Sequence, residues 1–594
     1  MNNKHLSILI LVVLFGVQFL VVPTFSLMAQ GGKVAAFSWF VMVLAACLLI
    51  QNREWCLPKA LIPLGVLFLV FSISLLNSQW PAMGLVHLFT FATGLIFCVL
   101  VVNLSGGSDA LYAWVSVWCR LIGVVVALLC LYQYLDWVLF GQKTTMLIPY
   151  LLPPGSSRVG GIYGQPNQTA LLLLVSVIAF IGSYGPGKIS NQRFKQLCID
   201  IGMLLVSTAF FLTRSSAGLL ALALFLGVFC LLVCRRKIIF NNRSLLKIGL
   251  LLSAGFLVSH LPLTADSYTK AQVNIESRYV FWASSVLMFS KFPILGVGLD
   301  HFKLYLPSYA RPAHDLLGFV QFESMGYTSW SHNEYLQILA ESGLVGFSLL
   351  GIFFILLGRI ISKEVLKEKP DSKKLFIFFM MSPFFVQGMF SWNFRHPALF
   401  FIFFLLLGIA IKDSSHVTIK FNNFAKISIL FLLLISLSGV FIISFKEYQY
   451  VQLKKHVKEN GCKNSEIFSL IDDSYLEFRV LREVLPLCLA DESFTKDLDL
   501  VEQLKPSFVK IASLQGTEYQ WYNLGFIYKA LGEYELADAS FKTAVERQPV
   551  FERGWAALHT LNIEKAVRMT GRPIEEFLPP ESTSSMDFNN LLSK

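Results

Sequence analysis

The sequence predicts an all-α protein: a polytopic membrane helix bundle of about 13 spans, followed by a water-soluble helical domain at the C-terminus. Three observations predict it. Of 594 residues 55% are hydrophobic and only 15% are charged, whereas a soluble chain of this size needs about a quarter of its residues charged to cover its surface. Apolar stretches of the length that crosses a bilayer, about 20 residues, recur through the first 446 positions. From about 447 the pattern changes to amphipathic helix. Collagen-like, disordered and small disulfide-scaffold classes are excluded by the same composition, and the 53 phenylalanines suit lipid-facing helices.

Thirteen spans are expected: 5–23, 35–50, 60–77, 82–102, 117–139, 168–184, 198–213, 216–234, 247–263, 334–361, 375–391, 397–412 and 426–445. With the N-terminus inside, the loops after even-numbered spans carry Arg53 and Lys59, then Lys188, Arg193 and Lys195, then Arg235, Arg236, Lys237, Arg243 and Lys247. The next two carry Lys363, Lys367, Lys369, Lys373 and Lys374, then Lys412, Lys420 and Lys426. The loop 103–109 has no charge bias, but loops after odd-numbered spans are poor in Lys, so the inside-positive bias selects this register. An odd number of spans puts the tail outside. The first span is read as a retained helix rather than a cleaved signal peptide, because it is long and lacks an A-x-A site.

The net charge of +11 is unevenly spread: residues from 447 onward hold 17 Lys+Arg against 23 Asp+Glu, leaving 32 against 15 before them. The basic excess of the membrane part reports topology. A nucleic-acid partner is not expected, because no basic face with exposed aromatics is visible. Eight of the ten cysteines lie scattered in or beside apolar segments and read as small buried hydrophobes.

Four stretches fall on the outer side. The loop 140–167 ends Arg158-Val-Gly-Gly-Ile-Tyr-Gly-Gln165-Pro-Asn167, placing two carboxamides at a helix start. Arg214, in Leu-Thr213-Arg214-Ser215-Ser216, sits at the outer boundary between two apolar helices, where a guanidinium either snorkels or meets an anion. The long loop 264–332 contains Glu276-Ser-Arg278-Tyr-Val-Phe-Trp282 and Lys291-Phe-Pro-Ile-Leu-Gly-Val-Gly298. Ser329-Trp-Ser-His332-Asn333-Glu334-Tyr335 opens the long helix 334–361, and an imidazole there can act as general base near neutral pH. Trp392, Arg395 and His396 add cationic character to the same side. No G-x-x-x-x-G-K-[ST], HExxH or metal-spaced acidic cluster appears, so neither an ATP-driven pump nor a metal site is expected. Carboxylates in the middle of spans are scarce, against a proton-coupled transporter.

In the tail, residues 518–551 follow the tetratricopeptide pattern: Trp521-x2-Leu524-Gly525-x2-Tyr528, then Gly532, Ala537, Phe541, Ala544 and Pro549. Such repeats bind proteins or cap a larger body. The expected domains are a membrane catalytic domain over 1–446 that includes loop 264–332, a periplasmic helical domain over 447–571, and a disordered tail over 572–594. Cys462 and Cys488 are either two buried thiols or, in an oxidising compartment, a disulfide.

Taken together, Gly-Gln165-Pro-Asn167-Gln, Thr-Arg214-Ser, the Arg278-to-Trp282 element with Pro293…Gly296-Val-Gly298, and Ser-His332-Asn-Glu334-Tyr resemble the O-antigen ligase superfamily. The tail with its repeat resembles the branch of bacterial O-linked oligosaccharyltransferases, the pilin or general protein glycosylation ligases. One element departs: where that branch often carries His-Ser…Glu-x-Pro, this chain reads Gln387-Gly-Met-Phe-Ser391…Arg395-His396-Pro397, and that site is not carried over. The resemblance implies a GT-C-like fold and transfer of a preassembled oligosaccharide from undecaprenyl diphosphate to Ser or Thr of a periplasmic protein such as pilin. It implies no cofactor and no metal. Arg214 and Arg278 match the diphosphate-binding positions and His332 the essential histidine; Arg158, Gln165, Asn167, Asn333, Glu334 and Arg395 are supporting candidates. The partners are the lipid-linked glycan, the acceptor protein and membrane lipid, at the bacterial inner membrane with the site and tail periplasmic. Rival readings are an O-antigen polymerase or lipid A-core ligase with a sugar acceptor, a lipid-linked glycan flippase, and a membrane-anchored scaffold.

Overall fold

The computed structural model describes residues 9–14, 16–17, 30–51, 54–104, 108–140, 158–185, 193–260, 268–318, 328–462, 466–473, 476–490, 492–514 and 516–572. Most of the expected first span, most of loop 140–167 and the tail beyond 572 lie outside them. The chain divides into two compact units, residues 1–303 with 328–451 and residues 304–327 with 452–594.

The first unit is built from α1 (Gln30–Gln51), α2 (Ile62–Leu76), α3 (Leu85–Asn103), α4 (Ser108–Phe140), α5 (Pro166–Ile181), α6 (Arg193–Leu212), α7 (Ser216–Cys234) and α8 (Asn242–His260). It continues with α9 (Tyr268–Lys291) and, after α10 (Phe302–Leu317), with α11 (Glu334–Leu366), α12 (Ser372–Gly388), α13 (Pro397–Ile411) and the part of α14 (Asn423–Asn460) up to Val451. Among the described residues nine helices are long and apolar enough to cross a membrane, and they coincide with nine of the thirteen expected spans. The protein is thus multi-pass, and nine of the thirteen expected spans are shown among the described residues. The helix at the expected span 247–263 opens on Asn242-Arg243-Ser244, which lowers its hydropathy. α12 and α13 have 17 and 15 residues, roughly 22–26 Å at 1.5 Å per residue, against a hydrocarbon core of about 30 Å.

These short helices are central. Every residue of α13 is buried, as are 14 residues of α5. The phenylalanines expected to face lipid therefore turn inward in α12 and α13: Phe37 and Phe401 lie 4.0 Å apart between centroids, Phe400 and Phe404 4.6 Å, Phe394 and Phe403 4.9 Å. Within lipid, close packing rather than escape from water holds helices together, and interlocked rings supply it.

The all-α expectation misses one feature. β1 (Glu54–Pro58) and β2 (His416–Lys420) form a two-stranded antiparallel ribbon, with Cys56 opposite Thr418. Both strands lie in loops that the charge bias assigns to one side, and Lys237 Nζ also donates to the Lys367 carbonyl, 2.6 Å, between two further loops of that set.

The second unit stacks α15 (Leu498–Leu514), α16 (Glu518–Ala530), α17 (Tyr534–Arg547) and α18 (Glu552–Thr570). A capping box between Thr517 and Gln520 starts α16. Phe541 fills the groove of the repeat, 5.3 Å from Phe526 and 5.9 Å from Tyr522. Cys462 and Cys488 are disulfide-bonded, with Cα atoms 5.3 Å apart. This unit also takes residues 304–327, which the sequence alone leaves in the outer loop of the membrane part, and Arg547 Nη1 donates to the Pro307 carbonyl at 3.4 Å.

Candidate functional site

The site is built where α11 breaks. Gly343 has φ +62 and ψ −162 inside that helix, a conformation that a side chain resists. The break leaves backbone groups without helical partners, and the segment 293–298 satisfies them. Val297 N donates to the Ala340 carbonyl at 2.9 Å and Gly298 N to that of Glu341 at 3.1 Å. In return Leu344 N donates to the Pro293 carbonyl at 2.8 Å. The fit requires glycine twice: a Cβ on Gly296 would lie 2.4 Å from the Glu341 carbonyl carbon, and one on Gly343 2.3 Å from the Ile294 oxygen. Pro293…Gly296-Val-Gly298 is therefore the strap that locks the short N-terminal part of α11.

His332 precedes that half. Its φ is +55, in the left-handed region that non-glycine residues seldom occupy. Its neighbours pin it there: Asn333 Oδ1 caps α11 by accepting from Tyr335 N and Leu336 N, 3.1 Å each, and Ser331 Oγ donates to the Asn333 carbonyl at 2.6 Å. The imidazole stacks on Phe281 of α9, centroids 6.0 Å apart. Burial first, and the Arg278 charge second, lower its pKa to about 4, so the ring is neutral at pH 7.

Arg214 occupies the three-residue turn between α6 and α7, also at positive φ, +48. Ser215 Oγ accepts from Gly218 N to cap α7 and donates to Asn167 Oδ1 at 2.8 Å, so Asn167 fixes the turn that presents Arg214. Arg158 Nε donates to the Thr213 carbonyl at 3.3 Å. Burial and then Arg214 lower the pKa of Arg158, and burial and then Arg158 lower that of Arg278. Arg214, Arg158, Arg278 and His332 thus form a continuous electropositive set. Among the described residues neither Arg214 nor Arg278 has an ion-pair partner, and Arg214 Nη2 is buried without a hydrogen bond. Guanidiniums within electrostatic reach of one another repel, and an anion between them relieves that repulsion.

Glu334 and Arg395 belong to a second network, in which one guanidinium faces two carboxylates and its Nη1 is buried without a hydrogen bond among the described residues. Arg395 Nη2 lies 2.6 Å from Glu341 Oε2 and its Nε 3.6 Å from Glu334 Oε2. Phe394 N donates to Glu334 Oε1 at 2.8 Å and Gln337 Nε2 to Glu341 Oε1 at 2.9 Å. The Arg395 guanidinium packs over Trp330, 5.5 Å from the ring centre, and Trp330 stacks on Trp392 at 5.7 Å. Asp300, at φ +64, meets His87 Nε2 at 3.4 Å and Lys303 Nζ at 2.6 Å. Gln165 stands exposed at the N-cap of α5 without a capping bond.

Glu341, Asp300 and Tyr134 escaped the sequence reading. Glu341 carries a signal that reasoning could have used: a carboxylate inside an apolar span demands a cationic partner. Beside the Arg395 network lies an apolar cavity of about 100 Å³ walled by Leu64, Phe71, Tyr335, Phe385, Phe400 and Phe404.

Residues 201–351 match the O-antigen ligase family, a stretch that contains Arg214, Arg278 and His332 but not Arg158, Gln165, Asn167 or Arg395. Residues 521–551 match a tetratricopeptide repeat. No curated protein matches the chain. The chain is a multi-pass membrane protein that carries an O-antigen ligase region, the mark of a glycan-transferring enzyme with a lipid-linked substrate, and a tetratricopeptide repeat behind it.

Proposed function

We propose that this protein transfers a preassembled oligosaccharide from undecaprenyl diphosphate to Ser or Thr hydroxyls of periplasmic proteins such as pilin. The observation that carries the reading is the pair Arg214 and Arg278, without carboxylate partners among the described residues, beside the neutral imidazole of His332. Their chemistry suits a lipid diphosphate and a hydroxyl nucleophile. The guanidiniums bind the diphosphate and stabilise its charge as it leaves. The acceptor oxygen bonds to the anomeric carbon and gives its proton to His332, while the bond from that carbon to the diphosphate oxygen breaks. The charge bias of the loops and the disulfide of the tail support the reading of an inner-membrane protein with site and tail on the periplasmic side.

The repeat in the second unit favours a protein acceptor, since such helical stacks present protein-binding grooves. The second reading is an O-antigen ligase with a sugar acceptor, favoured by the description of the matched family. Co-expression with a lipid-linked glycan pathway and candidate pilins, followed by intact-mass analysis, tests the choice. A glycan-sized mass increase on the pilin supports the protein acceptor, whereas an unmodified pilin with glycan-extended lipid A-core supports the other.

A further inference from the structure

Tyr134 lies near the outer end of α4, 8% exposed, with its hydroxyl buried and without a hydrogen-bond partner among the described residues. A phenol buried in that way normally finds a partner. Its ring packs on Trp137, 6.0 Å between centroids, so the side chain is held by apolar contact and not by its oxygen. One residue earlier, Gln133 Oε1 accepts from Gly161 N at 2.9 Å, which fixes this end of α4 against the segment that carries Arg158. Tyr134 and Arg214 are close enough to interact electrostatically. Yet the hydroxyl and Arg214 Nη2 are both left without a partner.

Two buried groups able to donate, in electrostatic reach of one another and without a hydrogen-bond partner among the described residues, call for a ligand rich in acceptors. Arg214 also lies within electrostatic reach of the Arg158 guanidinium, so an anionic acceptor is favoured. We infer that Tyr134 is a further ligand of the donor's diphosphate, its O–H donating to a non-bridging phosphate oxygen that Arg214 also holds. A neutral donor has an advantage here: it adds a hydrogen bond to the anion without adding to the repulsion among Arg158, Arg214 and Arg278. Pre-oriented, it gains strength as negative charge builds on the leaving diphosphate. The inference rests on the proposed lipid-diphosphate donor.

Tyr134→Phe removes only the oxygen and keeps the ring against Trp137. The expected result is a fall in the transfer rate on the order of 10²-fold, the size typical for loss of one such donor. The thermal midpoint in detergent without ligand is expected to stay at the wild-type value or above, because an unmatched buried hydroxyl is removed. The midpoint shift produced by undecaprenyl diphosphate is expected to shrink toward that produced by undecaprenyl monophosphate. A lowered ligand-free midpoint with an unchanged diphosphate shift would make the hydroxyl structural and overturn the inference. Arg214→Lys serves as reference: if it is impaired while Tyr134→Phe transfers at the wild-type rate, the tyrosine assignment fails alone. If both behave as wild type, the diphosphate reading itself falls.

Discussion

Arg395 Nη2 lies 2.6 Å from Glu341 Oε2, and both side chains are buried although 54 residues separate them. The pair ties the N-terminal part of α11 to the turn before α13, and so holds the platform that follows His332. Removing Arg395 strands two buried carboxylates, Glu341 and Glu334, a loss of about 3–5 kcal/mol, whereas removing Glu341 leaves Arg395 its longer pair with Glu334 and costs less. Arg395→Ala and Glu341→Ala are each expected to lower the thermal midpoint in detergent and the amount of protein that accumulates. An Arg395→Met, Glu341→Leu double variant should recover part of the loss. Wild-type midpoints in both single variants would show that the pair does not hold the platform.

His332→Ala is expected to abolish glycan transfer while the protein inserts and accumulates normally, because its neighbours, not its ring, fix the start of α11. Wild-type levels of glycosylated acceptor would refute the role of base.

The pH dependence gives a separate check. With a pKa of about 4, His332 loses its basic form only as the pH falls through that value, well below the usual imidazole range. The acid limb of kcat/KM, which reports the free enzyme, should therefore lie near pH 4 in His332-dependent transfer. A limb centred near 6.5 would place the ring in water rather than against Phe281 and Arg278.

Arg214→Lys and Arg278→Lys should each impair transfer, since a single ammonium cannot reproduce the planar fork that grips two phosphate oxygens. Equal rates in wild type and both variants would leave the two arginines as lipid-headgroup contacts.

The Cys462–Cys488 bond closes a separation of 26 residues, and by the chain-entropy argument contributes roughly 3 kcal/mol to the folded tail. Alkylation and mass analysis of protein purified without reductant should find both sulfurs blocked until reduction. Two freely alkylated thiols would remove the bond and, with it, support for a periplasmic tail.

What the sequence made legible follows from what each pattern encodes. Nine spans could be read because twenty apolar residues in a row have few soluble uses, and the repeat because its small and aromatic positions recur at fixed offsets. Arg214 and His332 stood out as polar residues at the ends of apolar helices. Burial against protein or lipid could not be read: α13 is apolar all round, and that pattern suits either solvent. The break at Gly343 was hidden inside one long apolar run, and its cause lies some fifty residues earlier at Pro293 and Ile294. Tyr134 looked like any aromatic near a membrane boundary, and only its unmatched oxygen sets it apart.

The second unit is assembled from two separate lengths of chain, 304–327 and 452–594. A protein cut after 451 would therefore lose more than an appendage. It would leave residues 304–327 tethered between Asp300 and His332 with their packing surface gone. Any chimera that exchanges the tail must exchange that insert with it, so the second unit cannot be moved as a single C-terminal cassette.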